Sequence, residues 1–462
     1  MSNILISAQE ILNISGFTLV KGNFSSVFNN VVIDSRKVKS GSLFIAVKGE
    51  KYDGHNFIKD VEAEGAEGVI ISNDNLELAE NFNGTVISYS DTIVALGKIA
   101  NIWRNKLKAK VIGITGSNGK TTTKEFLSII LSEKYKVNKT EYNNNNHIGV
   151  PLTILSTDET VEILVLEHGT NHFGEIDYTA KISTPDIGII TIIGDSHLEY
   201  LIDRNGVLNE KYALFEETIK NNGHIFVNVD DELIYKKCRD INNKVTFGFT
   251  DSPDVKGEII GLDNYGRTKL EVCYLNRKIN LSLPVFGITS AKNVLSAVSI
   301  AYRLGLSDEE IISGVQKLGL VKGRLNISEI NSTVIVDDTY NANPESMKAA
   351  IDLINSIDVK PIKIAVLGDM FELGELSIKK HIELAEYIKN SNVSFVYLLG
   401  NYTKYTSEKL SDLGIKNEHY EERELLEKKL SELNIDNSLF LFKGSRGMKM
   451  EQFIPIIAER VS

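Results

Sequence analysis

Val111-Ile112-Gly113-Ile114-Thr115-Gly116-Ser117-Asn118-Gly119-Lys120-Thr121-Thr122 decides the reading of this 462-residue chain. An apolar run gives way to a glycine-rich turn, and a Lys-Thr pair opens a helix with Phe126, Ile129 and Ile130 on one face. Strand, turn and helix start in that order hold nucleotide phosphates, because N–H groups at a helix start point at the anion and the helix dipole favours negative charge. The glycines let the backbone approach closely. Lys120 neutralises the β/γ oxygens, and Thr121 offers a hydroxyl to Mg²⁺. The spacing Gly-x-x-Gly-Lys-Thr is two residues shorter than the general P-loop pattern. A surface turn without a ligand is the alternative, and the preceding strand disfavours it. ATP or a relative is the expected ligand, with Thr115 to Thr122 as its cradle.

Around this motif the chain reads as α/β. Before it, short apolar runs such as Val31-Val32-Ile33 and Gly68-Val69-Ile70-Ile71 alternate with glycine turns, as in a small α/β domain. After it, buried-strand candidates Val111–Thr115, Ile163–Leu166, Ile187–Ile193 and Ile225–Val229 alternate with helical patterns, the sign of a mostly parallel sheet covered by helices. Lys317 to Leu325 reads as a linker. Beyond it Val334–Val336, Ile364–Leu367, Phe395–Leu399 and Leu439–Phe442 repeat the alternation. Leu426, Leu430 and Leu433 form a stripe too short for a coiled coil, hence a core face.

Bulk properties narrow the function class. A chain this long exceeds a single core. No apolar stretch is long enough to span a bilayer, and the N-terminal residues do not resemble an export signal. The two cysteines, Cys238 and Cys273, fit a reducing compartment without a disulfide framework or thiolate zinc site. A net charge of -11 argues against broad nucleic-acid or membrane-surface binding, while leaving local anion sites open.

Polar clusters follow the strands, where ligands gather in open α/β sheets. Glu167-His168-Gly169-Thr170-Asn171 follows one, and Glu167 is a candidate Mg²⁺ ligand because that ion wants oxygen donors. Gly194-Asp195-Ser196-His197 follows the next; His197 either ligates a metal, stabilises a transferring phosphate or caps a helix. Lys211 by default is a solvated helix lysine, and only as a carbamate would it offer anionic oxygens to a metal. Asn143 to Pro151 reads as a loop presenting amides to a polar ligand. Asp337-Asp338-Thr339-Tyr340-Asn341-Ala342-Asn343-Pro344 and Lys443-Gly444-Ser445-Arg446-Gly447 also follow strands, suggesting a cleft lined by two domains.

On these residues the chain resembles the Mur ligases of bacterial cell-wall synthesis, nearly end to end. The anchors are Asp34-Ser35-Arg36, Asp53-Gly54-His55, the short P-loop, Asn145-Asn146-His147-Ile148-Gly149-Val150-Pro151 and Glu167–Ile176, then Lys322-Gly323-Arg324 and Lys443–Gly447. Asp337–Pro344 and Gly368-Asp369-Met370-Phe371-Glu372-Leu373-Gly374 point to the branch that adds D-alanyl-D-alanine. The resemblance implies a small N-terminal α/β domain for the UDP-sugar (residues 1–100), a central P-loop ATPase-like domain (101–318) and a C-terminal Rossmann-like domain (319–462). It implies ATP-driven amide synthesis between UDP-MurNAc-tripeptide and D-Ala-D-Ala through an acyl phosphate, in a cytoplasmic, monomeric bacterial enzyme.

By the same resemblance Lys120 holds the β/γ phosphates, while Thr121 and Glu167 take a first Mg²⁺. His197 and carbamylated Lys211 serve a second Mg²⁺ and the acyl phosphate, and Arg324 reaches the γ-phosphate from the linker. Ser35 and Arg36 face the uridine diphosphate, and Asn145 and Asn146 the muramoyl peptide. Asn293 and Asp338 lie toward the nucleotide, with Ser445 and Arg446 on the nucleotide or incoming-amine side. Two departures stand out: His168 where the family usually has Met, and Lys292 with Ser296 beside Asn293 where His and Asn are usual. A sister ligase adding one amino acid, a folylpolyglutamate-type synthetase and a nucleotide-binding scaffold without ligase activity are the rivals. Asp34-Ser35-Arg36 disfavours the synthetase, and the joint presence of Lys120, Thr121, Glu167, His197, Lys211 and Arg324 disfavours the scaffold.

Overall fold

The computed structural model describes residues 4–250, 252–433 and 436–461. Among them the strands form one five-stranded, one nine-stranded and one six-stranded sheet, in chain order, with a two-stranded ribbon at the start. In the first large sheet Asn30–Val32, Ser42–Ile45, Ala66–Ser72 and Thr85–Tyr89 run parallel, and Thr18–Lys21 closes one edge antiparallel. The three-domain α/β architecture matches the sequence expectation.

The nine-stranded sheet holds the P-loop strand, Lys110–Thr115, at a place that its winding order explains. The chain leaves that strand to lay down Val137–Lys139 and Ile163–Glu167 on one side, then returns to lay down Ile187–Ile190, His224–Asn228 and Lys244–Gly248 on the other. All these neighbours pair in parallel. The reversal leaves a crevice at the carboxyl end of Lys110–Thr115, where doubly wound sheets bind ligands. Core residues Ile112, Ile114, Phe126, Leu127 and Ile130 are buried on one side of the sheet.

Two differences from the sequence reading have local causes. The strand expected to reach Ile193 stops at Ile190, because Thr191 and Ile192 turn away to brace the P-loop. The Thr191 hydroxyl donates to Asn118 O at 2.5 Å, and Ser117 N donates to Ile192 O at 2.8 Å. Val255–Leu262, Arg267–Tyr274 and Arg277–Phe286 extend the sheet as a meander whose last two strands are antiparallel. Their outer faces alternate with polar residues, so they lack the continuous apolar runs that mark buried parallel strands.

In the C-terminal sheet, Ser438–Lys443 inserts between Thr333–Asp338 and Ile362–Gly368. The carboxyl ends of all three therefore meet, and they face the crevice of the central sheet. One apolar cluster crosses the junction, from Leu198, Leu201 and Val207 to Met347, Ile351, Met370 and Leu373. No helix among the described residues is long and apolar enough to cross a membrane.

Candidate active site

A cleft of about 780 Å³ lies where the two sheets face each other. Ser117, Asn118, Gly119, Lys120, Thr122, Asn145, Glu167, His197 and Asn293 line it from the central sheet, and Arg324, Asp338, Ser445 and Arg446 from the other side. Thirteen of the expected site residues thus share one cavity.

The floor is the P-loop. Gly116 and Gly119 adopt φ of +148° and +82°, and a Cβ at either would lie 1.9 Å from the Thr191 hydroxyl or 2.4 Å from the Asn293 amide oxygen. Only glycine fits both conditions. Asn293 therefore buttresses the loop, and it also accepts the Thr123 hydroxyl at 3.3 Å. Thr115 lies below, its hydroxyl donating to His168 O at 2.8 Å. Ser117 accepts from Gly194 N at 2.9 Å. The Lys120 ammonium donates to Gly116 O at 2.8 Å, and burial pushes its pKa below the ordinary value.

Glu167 ends the neighbouring strand and is almost wholly buried. Its Oε1 accepts the Thr121 hydroxyl at 3.2 Å and the Asn145 amide at 2.8 Å, whereas Oε2 has no hydrogen-bond partner. A buried carboxylate oxygen left open beside a threonine hydroxyl is a hard-oxygen donor set, which suits Mg²⁺. Asn146 turns elsewhere: its side chain accepts from Ile148 N and Gly149 N, just ahead of the helix Gly149–Leu155.

His197, at φ +54°, starts a single helical turn and presents Nδ1 2.6 Å from Glu372 Oε2. Burial pushes its imidazole below the ordinary pKa, Glu372 pulls the other way, and Lys211 and Lys120 add to the depression. Contact with His197 holds Glu372 below the usual carboxylate range. Lys211 is 1% exposed, on the helix Arg204–Lys220. Burial, then repulsion from Lys120, depresses its pKa well below the ordinary lysine value, and no carboxylate among the described residues forms a salt bridge with it. The default of a solvated helix lysine is thereby overturned.

The opposite wall comes from the linker and the C-terminal sheet. Arg324 Nη2 donates to the Thr121 hydroxyl at 3.2 Å, and its guanidinium lies 4.2 Å from the Tyr340 ring centroid. Asp338 pairs with Lys443 at 2.6 Å. The Ser445 hydroxyl accepts from Phe371 N at 2.8 Å, and the Arg446 guanidinium lies 5.8 Å from the same Tyr340 ring centroid. Ser35 and Arg36 do not line this cleft; Arg36 is exposed in the N-terminal domain and grips Asp34 with two hydrogen bonds.

Sequence reasoning gave no individual role to Asn343, Asp195, Arg204, Glu345 or Lys380, which join the walls. Asn118 and Asn343 exchange amide hydrogen bonds at 3.1 and 3.0 Å. Asp195 pairs with Arg204 at 2.7 Å and with Lys380 at 2.8 Å, and Arg204 also meets Glu345. Arg204 and Lys380 outweigh burial and hold the Asp195 carboxyl below its ordinary range. The signal available was that Asn343 and Glu372 sit inside motifs already singled out; Arg204 and Lys380 had none.

The Mur ligase middle domain matches residues 114–301, the Mur ligase glutamate ligase domain residues 323–446, and the Mur ligase catalytic domain residues 27–104. The chain belongs to the Mur ligase family. It is 33% identical to UDP-N-acetylmuramoyl-tripeptide–D-alanyl-D-alanine ligase of Bacillus subtilis over 450 residues, 96% of this chain and 97% of that one. MurF from Acinetobacter baumannii superposes with a TM-score of 0.89 at 29% identity, over 99% of this chain and 100% of that one. MurF ligase from Thermotoga maritima, solved in complex with ADP, gives 0.81 at 28% identity, over 94% and 97%. The chain is accordingly an ATP-dependent ligase, similar throughout its length to the D-alanyl-D-alanine-adding branch.

Proposed function

We propose that this chain joins D-alanyl-D-alanine to the terminal carboxylate of UDP-N-acetylmuramoyl-tripeptide, completing the peptide of a cell-wall precursor in the bacterial cytoplasm. The observation that carries the reading is the convergence of Lys120, Thr121, Glu167, His197 and Arg324 on one cleft, with Arg324 and Glu167 each 3.2 Å from the Thr121 hydroxyl.

The chemistry follows from what a carboxylate needs before an amine will attack it. Its oxygen attacks the γ-phosphorus of ATP, the bond to the β-phosphate oxygen breaks, and ADP leaves. The dipeptide amine then attacks the acyl carbon, loses a proton, and phosphate departs with the C–O bonding pair. Lys120 and the P-loop amides hold the phosphates, and Arg324 neutralises charge on the transferring group from the opposite wall. Mg²⁺, held by Thr121 and Glu167, supplies further charge neutralisation when bound. Burial and the neighbouring Lys120 lower the pKa of Lys211, which favours the unprotonated amine that addition to CO₂ requires; the carbamate so formed, with loss of one proton, would with His197 fit a second Mg²⁺.

Ser35 and Arg36 take the uridine diphosphate, Asn145 the muramoyl peptide, Asn293 and Asp338 the nucleotide side, and Ser445 and Arg446 the incoming amine. The three domains divide at about residues 100 and 318, and the enzyme acts as a monomer. Phosphate release measured with each acceptor omitted in turn tests the reaction. Release should require the UDP-tripeptide and reach full turnover only with D-Ala-D-Ala, not with single amino acids. Equal release whichever acceptor is present would defeat it.

A further inference from the structure

Lys124 lies one helical turn beyond Lys120, its side chain wholly buried, and the ligation chemistry does not use it. Its ammonium donates to Thr140 O at 2.6 Å and Tyr142 O at 3.3 Å. It also lies 3.1 Å from Glu125 Oε1 and 3.9 Å from the unpartnered Oε2 of Glu167. Glu125 is bridged in turn by Lys139. A buried cation surrounded by carbonyl and carboxylate oxygens is fully compensated, and each oxygen would lose that compensation if it were removed.

Two of those oxygens belong to the bend between the strand Val137–Lys139 and the asparagine tract. The side chains from Glu141 to Asn144 are exposed, so apolar burial does not hold the bend in place. Tyr142 at its tip has φ +50° and is 83% exposed, a left-handed conformation unfavourable for a bulky residue. Just beyond it, Asn145 donates to Glu167 Oε1, and its carbonyl accepts Gly169 N at 2.9 Å. The ammonium thus ties the P-loop helix, the asparagine loop and the Glu167 strand end together.

We propose that Lys124 is a positioning residue that pins the asparagine loop against Glu167, and so sets where the peptide carboxylate of the UDP-muramoyl substrate lies relative to the phosphates held by Lys120. The substrate part of this inference rests on the reaction proposed above; the pinning does not. Its role differs from that of Lys120, because it touches protein oxygens on every side and does not line the cleft.

The test uses Lys124→Met, which keeps the length of the side chain and removes its charge and donors. Chymotryptic cleavage after Tyr142, read by fragment mass, should accelerate about tenfold because the bend opens more often. The KM for UDP-tripeptide should rise about tenfold, with kcat falling less, while ADP affinity measured calorimetrically stays within about twofold. Lys124→Gln keeps a donor without the charge and should shift both readouts in the same direction by less, which decides the matter if the Met variant does not fold. A folded variant with wild-type cleavage at Tyr142 and wild-type KM overturns the proposal. Cleavage needs no substrate, so a failure of the proposed reaction is told apart from a failure of the pin.

Discussion

Lys120 and Thr121 open the helix that follows one strand and Glu167 ends the parallel strand beside it, whereas Arg324, Asn343 and Glu345 reach the same cleft from partners 203, 225 and 141 residues away in sequence. The floor is held by hydrogen bonds inside one domain, and glycines at Gly116 and Gly119 fit it with no room for a side chain. The facing wall is held by an amide pair and by ion pairs such as Arg204 with Glu345, whose side chains are 48% and 24% exposed. Pairs that exposed contribute about 0–1 kcal/mol each. The apolar cluster from Leu198 to Leu373 crosses the same junction, so the exposed pairs are only part of what holds the wall against the floor. The floor is therefore fixed by close fit within one domain, and the wall by contacts between two.

The largest expected effect separates these two contributions. Lys120→Ala should lower kcat/KM for phosphate release about 10³-fold, and Arg324→Ala about 10²-fold, because each removes a donor to charge that develops on the transferring phosphoryl group. If both act on that one group, the double variant should lose much less than the product of the single losses. Fully multiplicative losses would put the two cations on different groups and break the picture of a shared phosphate.

A smaller effect should come from the junction alone. Glu345→Gln removes the charge that Arg204 meets across the cleft, leaving Lys120 and Glu167 untouched. The expected result is a rise of about three- to tenfold in the KM for ATP and the dipeptide, with kcat nearly unchanged. Small-angle scattering should show a larger radius of gyration for the variant at equal salt, and added salt should drive the parent protein the same way. An unchanged radius with unchanged KM would mean the walls are held by the apolar cluster, from Leu198 to Leu373, and not by the ion pairs.

The floor was legible in the sequence because its information is local. An apolar strand, two glycines and a Lys-Thr pair fall within twelve residues, and Glu167 ends the next buried run. The short P-loop, Glu167 and His197 could be picked out from strand ends before any fold was known. Of the wall, the loops Asp337–Pro344 and Lys443–Gly447 could be picked out at strand ends, but Arg324 was legible only through family resemblance, since no spacing rule relates it to Thr121. Burial was the other blind spot. Lys211 read as an ordinary helix lysine because the side chain alone favours water, and nothing drew attention to Lys124, whose hydrogen-bonding oxygens are backbone carbonyls from another element. Asn146 was hidden for the reverse reason: an amide in a ligand-like tract spends its oxygen on the backbone N–H groups of Ile148 and Gly149.

The smallest effect on catalysis should come from His168, which adjoins Glu167 yet points away from the cleft because side chains alternate along a strand. Its Nδ1 meets the Thr179 hydroxyl at 2.9 Å, Nε2 has no partner, and burial drives the imidazole's pKa down to about 3. The unfolded chain binds a proton at His168 near pH 6.5 and the folded one does not, so this residue withdraws stability as pH falls from about 6.5 toward 3, by about 1.4 kcal/mol per unit at most. His168→Met replaces the imidazole with an apolar side chain of similar size and removes both the orphaned nitrogen and the titration. The variant should be more stable by about 1 kcal/mol at neutral pH, and its advantage in melting temperature should widen between pH 6.5 and pH 4.5. Turnover should stay within about twofold, because the backbone carbonyl of His168, not its ring, holds the strand end against Thr115. A melting advantage that shrinks on acidification would show that the imidazole is charged in the folded protein, and would move His168 from the packing of the floor into its electrostatics.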